Sequence, residues 1–217
     1  MRRAPLGAPA ADGRSRDASG GYRVVVGRAG EPELAEVLVD AMFRLRHRVF
    51  QERLHWQVRS RDGRERDVFD DAAPVYAIAY HELSGRVSGC VRMLPTTGPY
   101  MLRDVFPQTL RGAPAPCDER IWELSRLCTV RDSTTAGLAL RLLGAVSDHA
   151  AREEARQFVA VAQSAVERAA ARAGIITHRF GDQRSTRLGA LDCAALHLRV
   201  DALTTSRTDR ESGAVES

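Results

Sequence analysis

The sequence contains no lysine, so every strongly basic side chain is an arginine. This absence excludes Schiff-base chemistry through a lysine amine and any phosphate-binding loop that depends on lysine. The four cysteines form no C-x-x-C pair; they are Cys90, Cys117, Cys128 and Cys193. Cysteines scattered in this way predict free thiols, most of them in the core, rather than a metal site.

Long apolar runs are absent as well. No segment approaches the roughly 20 apolar residues that a membrane-spanning helix requires, and the N-terminus lacks the apolar centre of a secretory signal. The formal net charge of +4 is too small to indicate a nucleic-acid partner. We therefore expect a cytoplasmic protein that binds neither a membrane nor nucleic acid.

The 217 residues are enough for one globular domain with a full core. Residues 1–20 and 204–217 lack hydrophobic periodicity, and we expect both to be disordered extensions of a single domain at 21–203. Helices are predicted over Glu31–Phe50, Thr135–Arg152 and about 165–173, with Gly174 as a C-cap. Residues 51–73 are predicted to be a long polar loop.

Strands are predicted over Tyr22–Val26, Val75–Tyr80, Val87–Leu94, Ile121–Val130, Gln157–Ala162, Ile175–Arg179 and Ala190–Val200, with a hairpin turn at 83–86. An N-terminal helix, an antiparallel meander and a strand–helix–strand–helix–strand series follow one another. This order predicts an α+β protein, an α/β/α sandwich whose central sheet is mixed and mostly antiparallel.

A series of three arginines, three acids and two aromatic residues stands out because core packing alone does not require it: Arg46, Phe50, Trp56, Asp67, Asp70, Arg92, Glu123 and Arg126. Arg46 and Phe50 are four residues apart and share a helix face. Taken singly, these residues have ordinary interpretations, such as acids on a polar loop. Together they could form a pocket for a ligand that carries both charges and a flat ring.

Three members of the series lie in two apolar strands. Arg92 stands in V-S-G-C-V-R-M-L-P, where it should face a cleft or a partner because an unpaired buried guanidinium is costly. In W-E-L-S-R, alternation places Glu123 and Ser125 on one face and Arg126 on the other, unless a bulge intervenes. Glu123 is a candidate general base because desolvation can raise the pKa of a carboxyl towards neutrality.

The series resembles the signature of the acyl-homoserine-lactone synthases, the autoinducer synthases of bacterial quorum sensing. The signature positions are filled in order by Arg46-x3-Phe50-x5-Trp56, Asp67-x2-Asp70, Arg92 and Glu123-x-Ser125-Arg126. The resemblance extends over roughly residues 22–200. It implies an acetyltransferase-like (GNAT-like) fold and an acyltransferase that needs no cofactor and no metal. The implied partners are S-adenosylmethionine, as a substrate, and an acyl thioester of acyl carrier protein or CoA.

The resemblance also implies a role for each signature residue. Glu123, Arg92 and Arg126 would form the catalytic group, with Glu123 as the base. The S-adenosylmethionine site would comprise Arg46, Phe50, Trp56, Asp67, Asp70 and Ser125. The acyl tunnel would be lined by Val159, Ala160 and Val161. Relatives that use 3-oxo chains commonly have a hydroxyl residue in this strand, so Ala160 predicts an acyl group that is unsubstituted at C3.

Two other functions remain open at this point. An N-acetyltransferase using acetyl-CoA needs a glycine-bearing loop at a helix N-terminus, and residues 131–137 contain only one glycine, Gly137. A non-catalytic binding protein of the same fold is expected to have lost the acids or Arg92, and neither is lost. Acyl chain length, the choice between carrier protein and CoA, and the oligomeric state are not predicted.

Overall fold

The computed structural model describes residues 21–131 and 137–203. The strands are β1 (Tyr22–Arg28), β2 (Ser60–Arg61), β3 (Arg64–Glu65), β4 (Val75–His81), β5 (Val87–Pro95), β6 (Ile121–Thr129), β7 (Gln157–Gln163), β8 (His178–Arg179), β9 (Thr186–Leu188) and β10 (Leu191–Arg199). The α-helices are α1 (Glu36–Arg46), α2 (Met101–Asp104), α3 (Leu138–Arg152) and α4 (Ser164–Arg172). The predicted extensions at 1–20 and 204–217, and the predicted helix start at Thr135, lie outside the described residues.

The central sheet has the strand order β1-β4-β5-β6-β7-β10-β8, and β9 pairs with β10. All of these neighbours are antiparallel except β6 and β7, which run parallel. The parallel pairing joins 121–123 to 157–159 and does not continue along the rest of the two strands. The predicted mixed, mostly antiparallel sheet is therefore confirmed, with its pairing interrupted near the centre.

Helices cover both faces of this sheet. The helix α3 packs against β1, β4, β5 and β6, whereas α1 packs against β5 and α2 against β6 and β7. Alternate residues of β5 face the two layers: Val91 and Met93 join the core under α3, and Cys90 joins the core under α1. Both faces of β5 are buried, which explains why the sequence of this strand is almost entirely apolar.

Close packing between α3 and β5 depends on Gly89. A Cβ at this position would lie 2.9 Å from Leu142 Cδ1 and 3.2 Å from Thr129 Cγ2, so a larger residue would force these side chains to shift. The apolar face of α3 is formed by residues at helical spacing, including Leu138, Leu142 and Val146. No helix among the described residues has the length and apolar character of a membrane span.

Several predicted boundaries were wrong. The first helix begins at Glu36 rather than Glu31, and from His47 to Arg53 it continues as a π-helix. The predicted loop at 51–73 contains the β2–β3 hairpin and a 3₁₀ turn over Val68–Asp71. The predicted strand at 175–179 is reduced to β8, and the sequence reading missed β9 because its three residues are too few to show a period.

Candidate active site

A bulge in β6 decides the direction of Arg126. Cys90 pairs with Cys128 and Arg92 pairs with Ser125, so one extra residue is accommodated on β6. Arg126 lies at this bulge with φ 56°, a left-handed conformation that few non-glycine residues adopt. Because of the bulge, the guanidinium of Arg126 contacts Asp67, which Arg92 also contacts. Regular strand alternation would instead have placed Arg126 on the face of the sheet opposite to Ser125 and Glu123.

The charged residues of the series other than Glu123 form one largely buried network. Arg46 donates through both Nη atoms to Asp70 at 2.8 Å and through Nε to Glu65 at 2.5 Å. Arg92 donates to Asp67 and Asp70 through its Nη atoms. Because bidentate guanidinium–carboxylate contacts fix both distance and orientation, the network holds the 65–71 segment firmly on the sheet.

Arg126 and Ser125 also belong to this network. Arg126 donates to Glu65 at 2.9 Å and to Asp67 at 2.6 Å. Arg92 Nε donates to Ser125 Oγ at 3.1 Å. The structure therefore brings together all five predicted ionic residues of the network and Ser125, which come from α1, the 3₁₀ turn and two adjacent strands.

Sequence reasoning missed Glu65 and Tyr76. Both side chains are fully or nearly fully buried, and the Tyr76 hydroxyl donates to Asp70 Oδ1 at 2.8 Å. A charge count could have found Glu65, because two buried arginines and the partly buried Arg126 need a third carboxylate besides Asp67 and Asp70. With Glu65 included, the network pairs three guanidinium groups with three carboxylates, which removes any net charge that would be costly to bury.

The electrostatics of Asp70 follow from these partners. Burial alone would raise the pKa of Asp70, but the hydrogen bonds and charge of Arg46, together with the charge of Arg92, outweigh it and hold this pKa well below its ordinary value. Burial likewise opposes the charge on Arg46, yet Asp70 and Glu65 raise the pKa of its guanidinium. The ion pair of Arg46 with Asp70 is thus stabilised in its charged form from both sides.

The two aromatic residues of the series stack directly on each other. The Phe50 and Trp56 rings lie 5.1 Å apart between centroids with an interplanar angle of 16°. The Trp56 amide donates to the Phe50 carbonyl at 2.8 Å, and Arg126 Cζ lies 5.6 Å from the Phe50 centroid. Phe50 is buried and Trp56 is only partly so. A flat ligand would therefore stack on the outer face of Trp56 rather than between the two rings.

Glu123 lies outside the ionic network and is only 1% exposed. Its two carboxylate oxygens accept the backbone N–H groups of Met101 at 2.9 Å and Leu102 at 2.6 Å. Desolvation raises the pKa of Glu123 to about 7, although the two backbone donors, Arg92 and Arg126 favour the charged form. A carboxyl that titrates near neutrality in a buried site suits proton transfer.

The residues predicted to line an acyl tunnel divide between the two faces of β7. Val159 and Val161 pack in the cluster that contains Leu94 and Leu102, whereas Ala160 packs in the cluster under α3. Alternation along the strand is the cause. Val159 also pairs with Glu123 across the short parallel contact, so this strand runs past the candidate base. The tunnel itself stays a prediction.

The mixed sheet with its interrupted parallel pair, covered by helices on both faces, is the GNAT-like acyltransferase fold. The family model of the autoinducer synthases matches residues 31–207, and the chain belongs to that family. An acyl-homoserine-lactone synthase from Ralstonia nicotianae is 36% identical over 183 residues, which cover 81% of this chain and 88% of the relative.

Solved structures of the family agree with this assignment. The acyl-homoserine-lactone synthase LasI is 33% identical and superposes with a TM-score of 0.76, covering 85% of this chain and 95% of its own. The CoA-dependent acyl-homoserine lactone synthase BjaI, in a structure with SAM and isopentyl-CoA, is 31% identical with a TM-score of 0.76. That match covers 87% of this chain and 89% of BjaI.

Proposed function

We propose that this chain is an acyl-homoserine-lactone synthase that acylates the amine of S-adenosylmethionine from an acyl thioester and then closes the lactone, releasing methylthioadenosine. The observation that carries the proposal is the placement of Glu123. It is a buried carboxyl with a pKa near 7, beside a neutral arginine–carboxylate network and at the point where β6 and β7 cease to pair. Family membership supports the same activity.

The acylation step needs a base and an oxyanion site. Glu123, directly or through a water molecule, removes a proton from the ammonium group so that the amine can attack the thioester carbonyl. Beyond residue 123 the strand β6 has no pairing with β7, so backbone N–H groups on that edge are available to donate to the oxyanion. Collapse of the tetrahedral intermediate forms the amide and releases the thiol.

Lactone closure depends on geometry more than on acid–base chemistry. The carboxylate of the methionyl group attacks its own γ-carbon and expels methylthioadenosine, a neutral leaving group from a sulfonium. The main requirement is to hold the chain in a folded conformation. Arg46, Asp67 and Asp70 would contribute by fixing the segment that carries the pocket wall, since their described contacts are with one another and with the sheet.

The substrates also define the partners of the enzyme. S-adenosylmethionine acts as a substrate rather than a cofactor, and the acyl donor is an acyl carrier protein or CoA thioester. BjaI is CoA-dependent, so both donor classes are to be tested. Metabolites of this kind are cytoplasmic, and we place the enzyme there.

Incubation of the purified protein with S-adenosylmethionine and a series of acyl thioesters tests the proposed function. We expect methylthioadenosine and an acyl-homoserine lactone in equal amounts, with an acyl group unsubstituted at C3 by mass spectrometry. The absence of both products with every CoA and carrier-protein donor would refute the synthase proposal. Acetylation of another amine with acetyl-CoA would instead favour an N-acetyltransferase. Mainly 3-oxo products would contradict only the interpretation of Ala160.

We expect Trp56→Ala to raise the KM for S-adenosylmethionine by about tenfold or more, since loss of an aromatic stacking partner removes on the order of 1–3 kcal/mol. The KM for the acyl donor should change little. Trp56→Phe is the matched control and should keep most of the affinity. Steady-state kinetics with each substrate varied in turn measures both constants, and an unchanged KM in the alanine variant would mean that Trp56 is only structural.

The acylation rate should depend on pH through Glu123. A general base works in its deprotonated form, so the rate should fall as pH decreases below about 7, the pKa to which desolvation raises this carboxyl. The rate should level off above that pKa. Single-turnover thiol release, followed between pH 5.5 and 9, measures the profile, and a rate that stays constant down to pH 5.5 would exclude a base with this pKa.

A further inference from the structure

Met101 is a residue with an unusual set of contacts. Its thioether Sδ lies 3.1 Å from Arg92 Nη2 and 3.2 Å from Arg126 Nη1. Its backbone N–H donates to Glu123 Oε2. One residue therefore connects the candidate base to two arginines of the ionic network, although the sequence pattern gives no sign of it.

The partners of the three guanidinium groups show why these contacts matter. Arg46 donates to carboxylate oxygens through all of its nitrogens. Arg92 and Arg126 also donate to oxygens, except for one contact each, which goes to Met101 Sδ. For Arg126 Nη1 the thioether is the one partner that the described residues provide. A thioether sulfur is a weak acceptor. Arg92 Nη2 also donates to Asp67 Oδ2 at 3.1 Å, so among the described residues Arg126 Nη1 is the least well satisfied donor of the network.

We propose that the Met101 thioether occupies an anion subsite formed by Arg92 Nη2 and Arg126 Nη1, and that the carboxylate of S-adenosylmethionine displaces it on binding. The proposal rests on the proposed function and names the subsite within it. A carboxylate is a far stronger acceptor for two convergent guanidinium N–H groups than a thioether is. Methionine can leave because its side chain has three rotatable bonds and packs against an apolar cluster.

The position of the subsite agrees with the chemistry of the first step. In S-adenosylmethionine the carboxylate and the amine are attached to the same carbon atom. The sulfur of Met101 contacts the two arginines and its backbone N–H contacts Glu123. A substrate carboxylate bound in place of this sulfur would therefore put the amine close to Glu123. The same arginines remain paired with Glu65 and Asp67, so binding requires no rearrangement of the network.

The test compares Met101→Leu with Met101→Gln by calorimetric titration of three ligands. Leucine keeps the apolar volume and removes the acceptor, so S-adenosylmethionine should bind roughly three- to tenfold more tightly. Glutamine supplies a carbonyl acceptor that competes for the same donors, so binding should weaken by about tenfold. Decarboxylated S-adenosylmethionine and methylthioadenosine lack the carboxylate, and their affinities should stay within about twofold of wild type.

Two results would overturn the subsite. One is a leucine variant that binds S-adenosylmethionine no more tightly than wild type. The other is an equal shift for all three ligands, which would indicate a structural role for Met101. Thermal unfolding of both variants checks that each is folded, and the opposite signs expected for leucine and glutamine cannot arise from a common loss of stability. Failure of the wild-type protein to bind S-adenosylmethionine would overturn the proposed function as well.

Discussion

Glu123→Gln is expected to lower the rate of amide formation by about 10²- to 10⁴-fold, the contribution typical of a positioned general base. The residue is 1% exposed, and desolvation raises its pKa to about 7. Glutamine has nearly the same shape but cannot accept a proton at neutral pH. Rapid-quench measurement of acyl transfer, with S-adenosylmethionine saturating, separates this loss of rate from any change in substrate affinity.

The structural consequence of the same substitution must be measured separately. The Glu123 carboxylate accepts the N–H groups of Met101 and Leu102, whereas a glutamine side chain can accept only at its oxygen. One backbone donor would lose its partner, at a cost of about 1–3 kcal/mol. Thermal unfolding therefore accompanies the kinetics. The matched control is Glu167→Gln. Glu167 lies on α4 and pairs with Arg179 of β8, so this variant should keep wild-type acylation.

The pH profile distinguishes a base from a purely structural carboxylate. If Glu123 removes the proton, the inflection near pH 7 should disappear in Glu123→Gln. The residual rate should then increase with pH as solvent deprotonates the ammonium group. Near-normal turnover with the inflection preserved would eliminate Glu123 as the base and leave it the role of anchoring the start of α2.

Asp70→Asn is expected to lower the free energy of unfolding by about 3–5 kcal/mol, because it removes one charge from a buried ion-pair network. Asp70 accepts hydrogen bonds from Arg46, Arg92, Tyr76 and the Asp67 backbone. Asparagine is close in size but brings two N–H donors towards guanidinium groups that also donate. Arg46 and Arg92 would then share a buried positive charge that no remaining carboxylate balances. Urea denaturation followed by circular dichroism measures the change.

The control for Asp70 is the same substitution in an exposed ion pair. Asp40 accepts from Arg44 and Arg64 at the surface, where water solvates both charges. Asp40→Asn should leave the midpoint of denaturation close to that of wild type. If Asp70→Asn were also close to wild type, the network would not be the element that secures the 65–71 segment, and the role assigned to it in lactone closure would have to be withdrawn.

The local hydrophobic pattern of the sequence was sufficient to predict most of the central strands. The strands β4, β5, β6 and β7 were predicted within a few residues because each contains an apolar run, which in β4 and β5 is buried on both faces. The boundaries failed where local geometry departs from standard periods. The π-helical turn at His47–Arg53 is an example, because the sequence there has an ordinary helical period and only hydrogen bonds such as Leu54 N–H to the Val49 carbonyl reveal the change.

By itself, the sequence determined which chemical groups this protein brings to its site: two stacking aromatics, arginines that cannot lose their charge, and an acid within an apolar strand. Order and spacing were enough to indicate the family, because the signature is a property of the chain. Only the tertiary structure decided how those groups are used. The bulge at Arg126, the burial of Glu65 and the contacts of Met101 depend on strands and turns distant in sequence. Desolvation and hydrogen bonding act through space, so they become visible only when the chain is folded.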